Sequence, residues 1–255
     1  MKHREKYRVM YHDTDRNFNL KLYYVAKYMQ ETALAAFDRL EAPRKELTKK
    51  NLAFILSKIS FRFDGEIKKF DDIIVDTWFA PMKSITVIRN YRIHNETTGN
   101  CVVRAASSWA LIDTNEKNIV RPNVLSEIFT AVTDDEDLGF NPTRKIKIPD
   151  AIMMTHENHL FDKEVMYGDI DENSHMNNTV YFDIVENAIW KTVRGALSGK
   201  LCTLDISYNN GASERDLISI WGITTIENAS KEVYIHGSIG GLNCFDAKAC
   251  FINSV

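Results

Sequence analysis

A short motif occurs twice in this chain, and the repetition constrains the fold more than any single residue does. With an offset of 156 positions, the segment Tyr11–Asn17 lies over Tyr167–Asn173, with Tyr, Asp, Asp and Asn at alternate positions in both copies. Each copy runs into a segment whose apolar residues recur at helical spacing. A duplicated supersecondary unit predicts two similar domains.

The residues after each motif predict one helix and then four strands. Apolar residues at helical spacing span 20–40 in the first half and 180–189 in the second. Short runs of β-branched and aromatic residues follow at 54–63, 73–79, 85–93, 102–112, 201–208, 217–225, 232–239 and 244–252. Each half therefore reads as a short strand, a helix and an antiparallel sheet, an α+β unit.

A weaker match with an offset of 143 supports the duplication. It superposes Trp78 on Trp221, Tyr91 on Tyr234, Cys101 on Cys244 and Ala106 on Ala249. The length of 255 residues also suits two domains.

The stretch between the two halves has the composition of a linker. Residues 134–137 form an acidic run expected to be solvated, and three of the five prolines fall between Pro122 and Pro149. We therefore predict a first domain at 1–133, a linker at 134–149 and a second domain at 150–255. A short helix around 124–132 is expected to end the first domain.

Charge and composition exclude several functional classes. The formal net charge is −3, which gives no global attraction for nucleic acid or anionic membranes. The first residues contain no apolar signal region, and no run approaches the roughly 20 apolar residues of a membrane span. The four cysteines show no CxxC spacing. These features predict a cytoplasmic protein with reduced thiols.

The two copies of the motif differ at one position that matters for chemistry. His175 in the second copy corresponds to Asn19 in the first, so only the second has an imidazole. Asp171, Asn173 and His175 thus combine a carboxylate, an amide and an imidazole just before a helix. Asp171 can activate water or attack directly, while Asn173 and His175 orient the reactants or transfer protons.

The start of the following helix adds electrostatic stabilisation. Its unpaired N–H groups and positive dipole end favour a developing oxyanion. Asn177 or Asn178 is expected to cap this helix. A loop rich in Asp, Asn and Ser is equally typical of a plain turn and cap, and from the local sequence this alternative stays open.

Other candidate sites are weaker. His156 and His159 have a spacing that suits a metal only if further ligands converge, and a strand or linker pair is the simpler interpretation. No feature places a cysteine beside His175. No glycine-rich phosphate loop or dinucleotide fingerprint occurs.

Three blocks match the motifs of a known family. Asp169–Tyr181 resembles D-x-D-x-N-x-H-V-N-N-x-x-Y, Met29–Ala33 resembles an L-Q-E-T-A helix, and Thr97–Trp109 resembles a T-G-x-x-x-x-R-A-T-S-S-W strand. In these blocks the chain resembles the acyl-ACP thioesterases of plant plastids and bacteria. The resemblance implies tandem hot-dog domains, each an antiparallel sheet wrapped around a long helix. It implies hydrolysis of fatty acyl-acyl carrier protein, catalytic roles for Asp171, Asn173 and His175, and neither a metal nor an organic cofactor.

One departure from the family pattern bears on the mechanism. Plant members follow a strand Tyr with R-R-E-C-G-R-D, whose Glu and Cys have both been proposed as catalytic. Here Tyr208 is followed by N-N-G-A-S-E-R-D. A cysteine mechanism is excluded at that place, and a second carboxylate can come only from Glu214. Glu186 falls where the family helix carries an acidic residue, and the lack of a transit peptide points to a bacterial version.

The resemblance also implies where substrate binds. In the family the N-terminal domain shapes the acyl pocket. The expected substrate-binding residues are Leu34, Phe37, Ile55, Phe61, Asn177 and Asn178. The partner is an acidic acyl carrier protein, and its expected basic surface draws on Lys145, Lys147, Lys191, Arg194 and Lys200. The chain is expected to be a monomer with an internal pseudo-dimer, or a homodimer.

Three alternatives share this fold. Hot-dog domains also serve acyl-CoA thioesterases and acyl-ACP dehydratases. A third alternative is an acyl-binding module without turnover, which would bind acyl ligands tightly and hydrolyse nothing.

Overall fold

The computed structural model describes residues 2–40, 43–81, 85–127, 133–142, 145–153, 156–193, 199–227 and 230–252. The chain forms two compact units, one of residues 1–20 and 24–143 and one of residues 21–23 and 144–255. The main division therefore falls inside the segment 134–149 that the sequence predicted as a linker.

The first unit is an antiparallel sheet with two helices. Its elements are β1 His3–Arg8, α1 Leu22–Asp38, α2 Pro43–Lys49, β2 Leu52–Phe63, β3 Asp72–Phe79, β4 Thr86–Asn95, β5 Cys101–Asp113 and β6 Ile119–Val120. The strand order is β1-β3-β4-β5-β2, and β6 pairs with β5. A 3-10 turn at Pro122–Glu127 stands where the sequence predicted a short helix, and residues 128–132 of that prediction lie outside the described residues.

The second unit repeats this plan with fewer elements. It contains β7 His159–Glu164, α3 Val180–Thr192, β8 Lys200–Tyr208, β9 Leu217–Glu227, β10 Ser230–Ile239 and β11 Leu242–Ile252. The strand order is β8-β11-β10-β9-β7, all antiparallel. Among the described residues, no helix is long and apolar enough to cross a membrane.

Burial of one helix face explains why both long helices form. In α1, Leu22, Val25 and Met29 are buried at helical spacing, as predicted, and Thr32 joins them. In α3 the buried residues are Tyr181, Phe182, Ile184, Val185, Ala188 and Ile189. The sequence did not predict α2, because this short helix buries only Leu47 among its described side chains and so shows no apolar repeat.

The duplication extends to individual main-chain hydrogen bonds. Both motif loops bend at a residue with positive φ, Phe18 at 64° and Ser174 at 61°, which are 156 positions apart. The matching bonds are Val9 N–H to Asp71 O and Val165 N–H to Asp216 O, both 2.9 Å, and Leu20 N–H to Ile67 O and Met176 N–H to Ala212 O, both 2.8 Å. The two loops therefore share one backbone design.

The strand registers correct the second sequence match. The matched bonds place Asp71 over Asp216, so the row Asp76–Arg92–Arg104 of the first unit matches the row Trp221–His236–Asp246 of the second. Arg92 therefore corresponds to His236 and Arg104 to Asp246. The superpositions at an offset of 143, which place Trp78 on Trp221, Tyr91 on Tyr234, Cys101 on Cys244 and Ala106 on Ala249, are wrong by one or two positions, because the hairpins of the two units differ in length.

Residues 133–140, which we call the strap, are packed against the first unit. Leu138 lies in an apolar cluster with Trp78, Ala106 and the half-buried Phe140. Glu136 makes ion pairs with Arg92 and Lys2. The expectation of a wholly solvated acidic run is therefore wrong for Glu136, since basic partners on the sheet fix its carboxylate.

Candidate active site

The second motif loop is closed at its base. Ile170 and Met176 form an antiparallel bridge. Between them Asp171 N–H donates to His175 O at 2.9 Å, and Ser174 N–H donates to Asp171 O at 3.0 Å. Asp171 and His175 are therefore main-chain partners, and the structure brings all three predicted catalytic residues into one tight loop.

The carboxylate and the amide of this loop keep open polar atoms. Asp171 is half-buried, and its Oδ1 accepts the N–H of Asn173 at 2.8 Å. In the described part of the chain, Asp171 Oδ2 accepts no hydrogen bond, and the exposed side-chain amide of Asn173 makes none. These atoms are available to water or to a substrate.

The imidazole of His175 is held in one tautomer. Its Nδ1 lies 2.8 Å from Asn173 O. A carbonyl oxygen only accepts hydrogen bonds, so we assign the proton to Nδ1. The lone pair of the neutral ring is then on Nε2, and no described residue bonds to it. Nε2 can therefore take a proton from water.

Gly211 lies directly against this imidazole. A Cβ atom added to Gly211 would be 3.1 Å from His175 Cδ2 and 3.9 Å from Nε2. The neighbouring bond from Met176 N–H to Ala212 O, 2.8 Å, fixes the two segments together. Sequence reasoning missed this contact, because Gly211 falls where the resembling family carries its Glu.

The start of α3 is organised by Asn177. Thr179 occupies the N-cap position, so the expectation of a cap at Asn177 or Asn178 is wrong by one or two positions. Asn177 Oδ1 nevertheless accepts the Thr179 N–H at 2.9 Å and its hydroxyl at 2.8 Å, which uses both lone pairs. Asn177 O accepts the N–H of Val180 at 2.9 Å.

Asn178 supplies an open donor beside the loop. Its carbonyl oxygen accepts the Tyr208 hydroxyl at 3.3 Å. Its main-chain N–H donates to none of the residues that the structure describes. An unpaired N–H at a helix start is the kind of group that stabilises an oxyanion.

The first copy of the loop makes two additional hydrogen bonds at the equivalent positions. Asp15 Oδ1 accepts the N–H groups of Asn17 and Asn19 at 2.8 and 2.9 Å. Lys68 Nζ donates to Asn19 Oδ1 at 2.5 Å. The carboxylate oxygen that has one partner in the second copy has two here, and no imidazole is present.

Three of the four predicted acyl-lining residues lie on α1 or on the sheet face that it covers. Phe61 is 1% exposed and shares a face of β2 with Phe54, whose ring is 6.2 Å from that of Phe37. Leu34 is half-buried on α1. Ile55 is 48% exposed and follows Phe54 in the strand, so it points to the opposite face. The structure does not bring Ile55 together with the others.

The remaining candidates have structural roles. Burial raises the pKa of Cys101 and Cys250, and raises that of Cys244 to about 11, which is the opposite of thiol activation. His159 begins β7, as the strand interpretation predicted, and its Nε2 lies 3.0 Å from Asp162 Oδ1. The described residues contain no cluster of three or more potential metal ligands.

The expected basic surface is only partly in place. Lys145, Lys147 and Lys200 are exposed. Lys191 Nζ donates to Leu160 O at 3.0 Å within its own unit. Arg194 lies outside the described residues. Glu214 is exposed and Glu186 is half-buried on α3.

Comparison with known proteins places this loop in context. The family model "Acyl-ACP thioesterase N-terminal domain" matches residues 1–131, and "Acyl-ACP thioesterase C-terminal domain" matches residues 153–237. The chain belongs to the acyl-ACP thioesterase family. The second match contains Asp171, Asn173 and His175, so the family assignment and the loop geometry refer to the same segment.

Curated relatives come from plants. The chain is 24% identical over 203 residues to a palmitoyl-acyl carrier protein thioesterase of Gossypium hirsutum, covering 78% of this chain and 47% of the relative. It is 23% identical over 244 residues to oleoyl-acyl carrier protein thioesterase 2 of Arabidopsis thaliana, covering 91% and 65%. The chain thus spans about half the length of the first of these relatives.

Solved structures confirm the fold. The 12:0-ACP thioesterase from Umbellularia californica superposes with a TM-score of 0.82 at 14% identity, covering 99% of this chain and 94% of that one. An acyl-ACP thioesterase from Bacteroides thetaiotaomicron gives 0.76 at 17% identity, covering 98% and 97%. The predicted tandem hot-dog architecture is confirmed. At these identities the likeness concerns fold alone.

Proposed function

We propose that this chain hydrolyses the thioester of a fatty acyl-acyl carrier protein to free fatty acid and carrier protein, and so ends acyl chain elongation. One observation carries the proposal. The loop of the second unit leaves Asp171 Oδ2, the Asn173 amide and His175 Nε2 without partners among the described residues. The family assignment supports the choice of substrate.

The proposed reaction is attack of water on the thioester carbonyl. His175 Nε2 accepts a proton from the water, whose oxygen forms a bond to the carbonyl carbon. Asp171 Oδ2 and the Asn173 amide orient the water and the carbonyl. The Asn178 N–H stabilises the oxyanion of the tetrahedral intermediate. Collapse breaks the carbon–sulfur bond, and the proton held on His175 passes to the leaving thiolate.

The proposed partner is an acyl carrier protein, for which the exposed Lys145, Lys147 and Lys200 offer positive charge. We place the reaction in a reducing compartment such as the cytoplasm. All four cysteines are free thiols, which supports that location.

Release of free fatty acid from C8 to C18 acyl-acyl carrier proteins tests the proposal. Asp171→Asn and His175→Ala are expected to lower kcat by about 100-fold or more, since positioned proton transfer contributes about 10²–10⁴. The matched controls are Asp15→Asn and Asn19→Ala, which introduce the same residues at the equivalent positions of the first copy. These controls should retain wild-type turnover.

Each alternative has its own outcome. Equal turnover of acyl-CoA would favour an acyl-CoA thioesterase. Conversion of 3-hydroxyacyl substrates to enoyl products without free acid would identify a dehydratase. If the wild type binds acyl ligands tightly and releases no free fatty acid, the hydrolytic proposal is wrong and the chain is a binding module.

A further inference from the structure

A buried arginine lies between α1 and the sheet of the first unit. Arg89 is 5% exposed, and its guanidinium carbon is 4.0 Å from the centre of the Phe79 ring. Nη1 donates to Ala33 O and Thr77 Oγ1, each at 3.4 Å. Both bonds are long and use the same nitrogen. Within the described ranges of the chain, Nε and Nη2 have no hydrogen-bond partner, and no carboxylate pairs with the charge.

A guanidinium in this position is costly. It offers five N–H donors, and removing it from water without a counter-charge is unfavourable. Burial lowers the pKa of Arg89, although the nearby Tyr91 opposes that shift. The face of Phe79 compensates part of the cost. A buried, desolvated charge with open donors is a candidate functional group.

The second unit shows that the fold does not need this charge. Because Arg92 corresponds to His236 and Arg104 to Asp246, the residues that lie three positions from them on the same strands correspond as well. The matched pairs are Arg89 with Val233, Ser107 with Ala249, and, in the helices, Thr32 with Ala188. All of these side chains are buried. Positions that hold polar side chains in the first unit hold apolar side chains in the second.

The surroundings of Arg89 define what it can bind. Phe79 belongs to an apolar cluster with Val87, Leu111 and Leu125. The buried ring of Phe61 lies on the same face of the sheet, in the neighbouring row of the register. A carboxylate can accept hydrogen bonds from the unpaired Nε and Nη2 of the guanidinium. An aliphatic chain can pack against the neighbouring apolar side chains.

We infer that Arg89 anchors a buried binding site for the carboxylate of an aliphatic chain within the first unit. Two sources supply this chemistry: a free fatty acid, or the far-end carboxylate of an acyl chain that has a second acid group. Binding of a carboxylate by Arg89 does not depend on the proposed thioesterase reaction. Only the choice of the second source rests on the proposed function.

The first test measures equilibrium binding of sodium decanoate, with decanol as the uncharged probe. It uses His175→Ala protein, so that the catalytic imidazole is absent. Decanoate should bind more tightly than decanol, and Arg89→Met should weaken decanoate binding about 10- to 100-fold, as loss of a charge-assisted bidentate contact implies. The matched control is Arg92→Met, which removes an arginine from the opposite face of the same strand.

Unfolding midpoints show whether Arg89→Met is folded. If it is not, Arg89→Lys replaces it, since a lysine keeps the charge and loses the fork, and its decanoate binding should fall several-fold. The second test compares hydrolysis of ω-carboxydecanoyl- and decanoyl-carrier protein. A loss of kcat/KM in Arg89→Met confined to the ω-carboxy substrate identifies the acyl chain as the source.

Arg89-dependent decanoate binding with no such difference identifies free fatty acid instead. If neither test depends on Arg89, the site is overturned. If no acyl-carrier protein is hydrolysed at all, the proposed function fails while the decanoate test still decides this inference.

Discussion

At the scale of residues, the sequence predicts which side chains share the second motif loop better than it predicts the contacts that support them. Asp171, Asn173 and His175 are close in the chain, so a single loop can be read from their spacing. Gly211 is distant in sequence, and its contact with the imidazole depends on the bond from Met176 to Ala212. Such a contact follows from tertiary structure, and a local pattern cannot indicate it.

Gly211→Ala is expected to lower kcat about tenfold, because the added Cβ would press on His175 Cδ2 and displace the ring by a few tenths of an ångström. KM should change little. Gly168→Ala is the matched control, since a Cβ there has no neighbour within 4 Å. Steady-state kinetics of both variants check this, and unchanged kcat in Gly211→Ala would contradict the positioning role.

At the scale of elements, strand bounds could be predicted within about two residues, because β-branched runs mark them. The register could not. The match at an offset of 143 placed Tyr91 over Tyr234, and only the paired rows through Asp76 and Trp221 correct it. The strap was also missed, since its acidic residues suggest solvent, while Leu138 and Glu136 find partners on the sheet.

Leu138→Ala should lower the free energy of unfolding by about 2 kcal/mol, the lower end for loss of a buried leucine side chain. Leu138 is 3% exposed and packs on Trp78 and Ala106. Asp135→Ala, at an exposed strap position, should change stability by less than about 0.5 kcal/mol. Urea unfolding measures both, and equal midpoints would show that the strap does not stabilise the unit.

At the scale of the whole molecule, the net charge of −3 does not predict how the free energy of unfolding depends on pH. That dependence is set by how the buried charged groups are arranged. Burial alone would raise the pKa of Glu232. Hydrogen bonds from Lys248 and Tyr234, each 2.7 Å long, lower the pKa by more than burial raises it, so the net pKa lies below its ordinary value. This pairing depends on cross-strand geometry that the sequence does not reveal.

Glu232→Gln should flatten the acid limb of the stability curve. A carboxyl whose pKa is lowered in the folded state stabilises it above the unfolded pKa of about 4.3, and that contribution is lost as pH falls through the folded pKa. The wild type should therefore lose more stability than Glu232→Gln between about pH 5 and 3. The exposed Glu164→Gln serves as control, and identical slopes for all three proteins would refute the linkage.

The left-handed residue at the tip of each motif loop bears on how the two copies diverged. Phe18 and Ser174 adopt nearly the same φ with unrelated side chains, so the bend is inherited through the backbone. The first copy therefore keeps the same backbone bend without an imidazole. Asn19→His, with Lys68 removed from its contact, would place an imidazole on a chain already folded to hold it. A duplicated loop of this kind can exchange its side chains while its main-chain bend is kept.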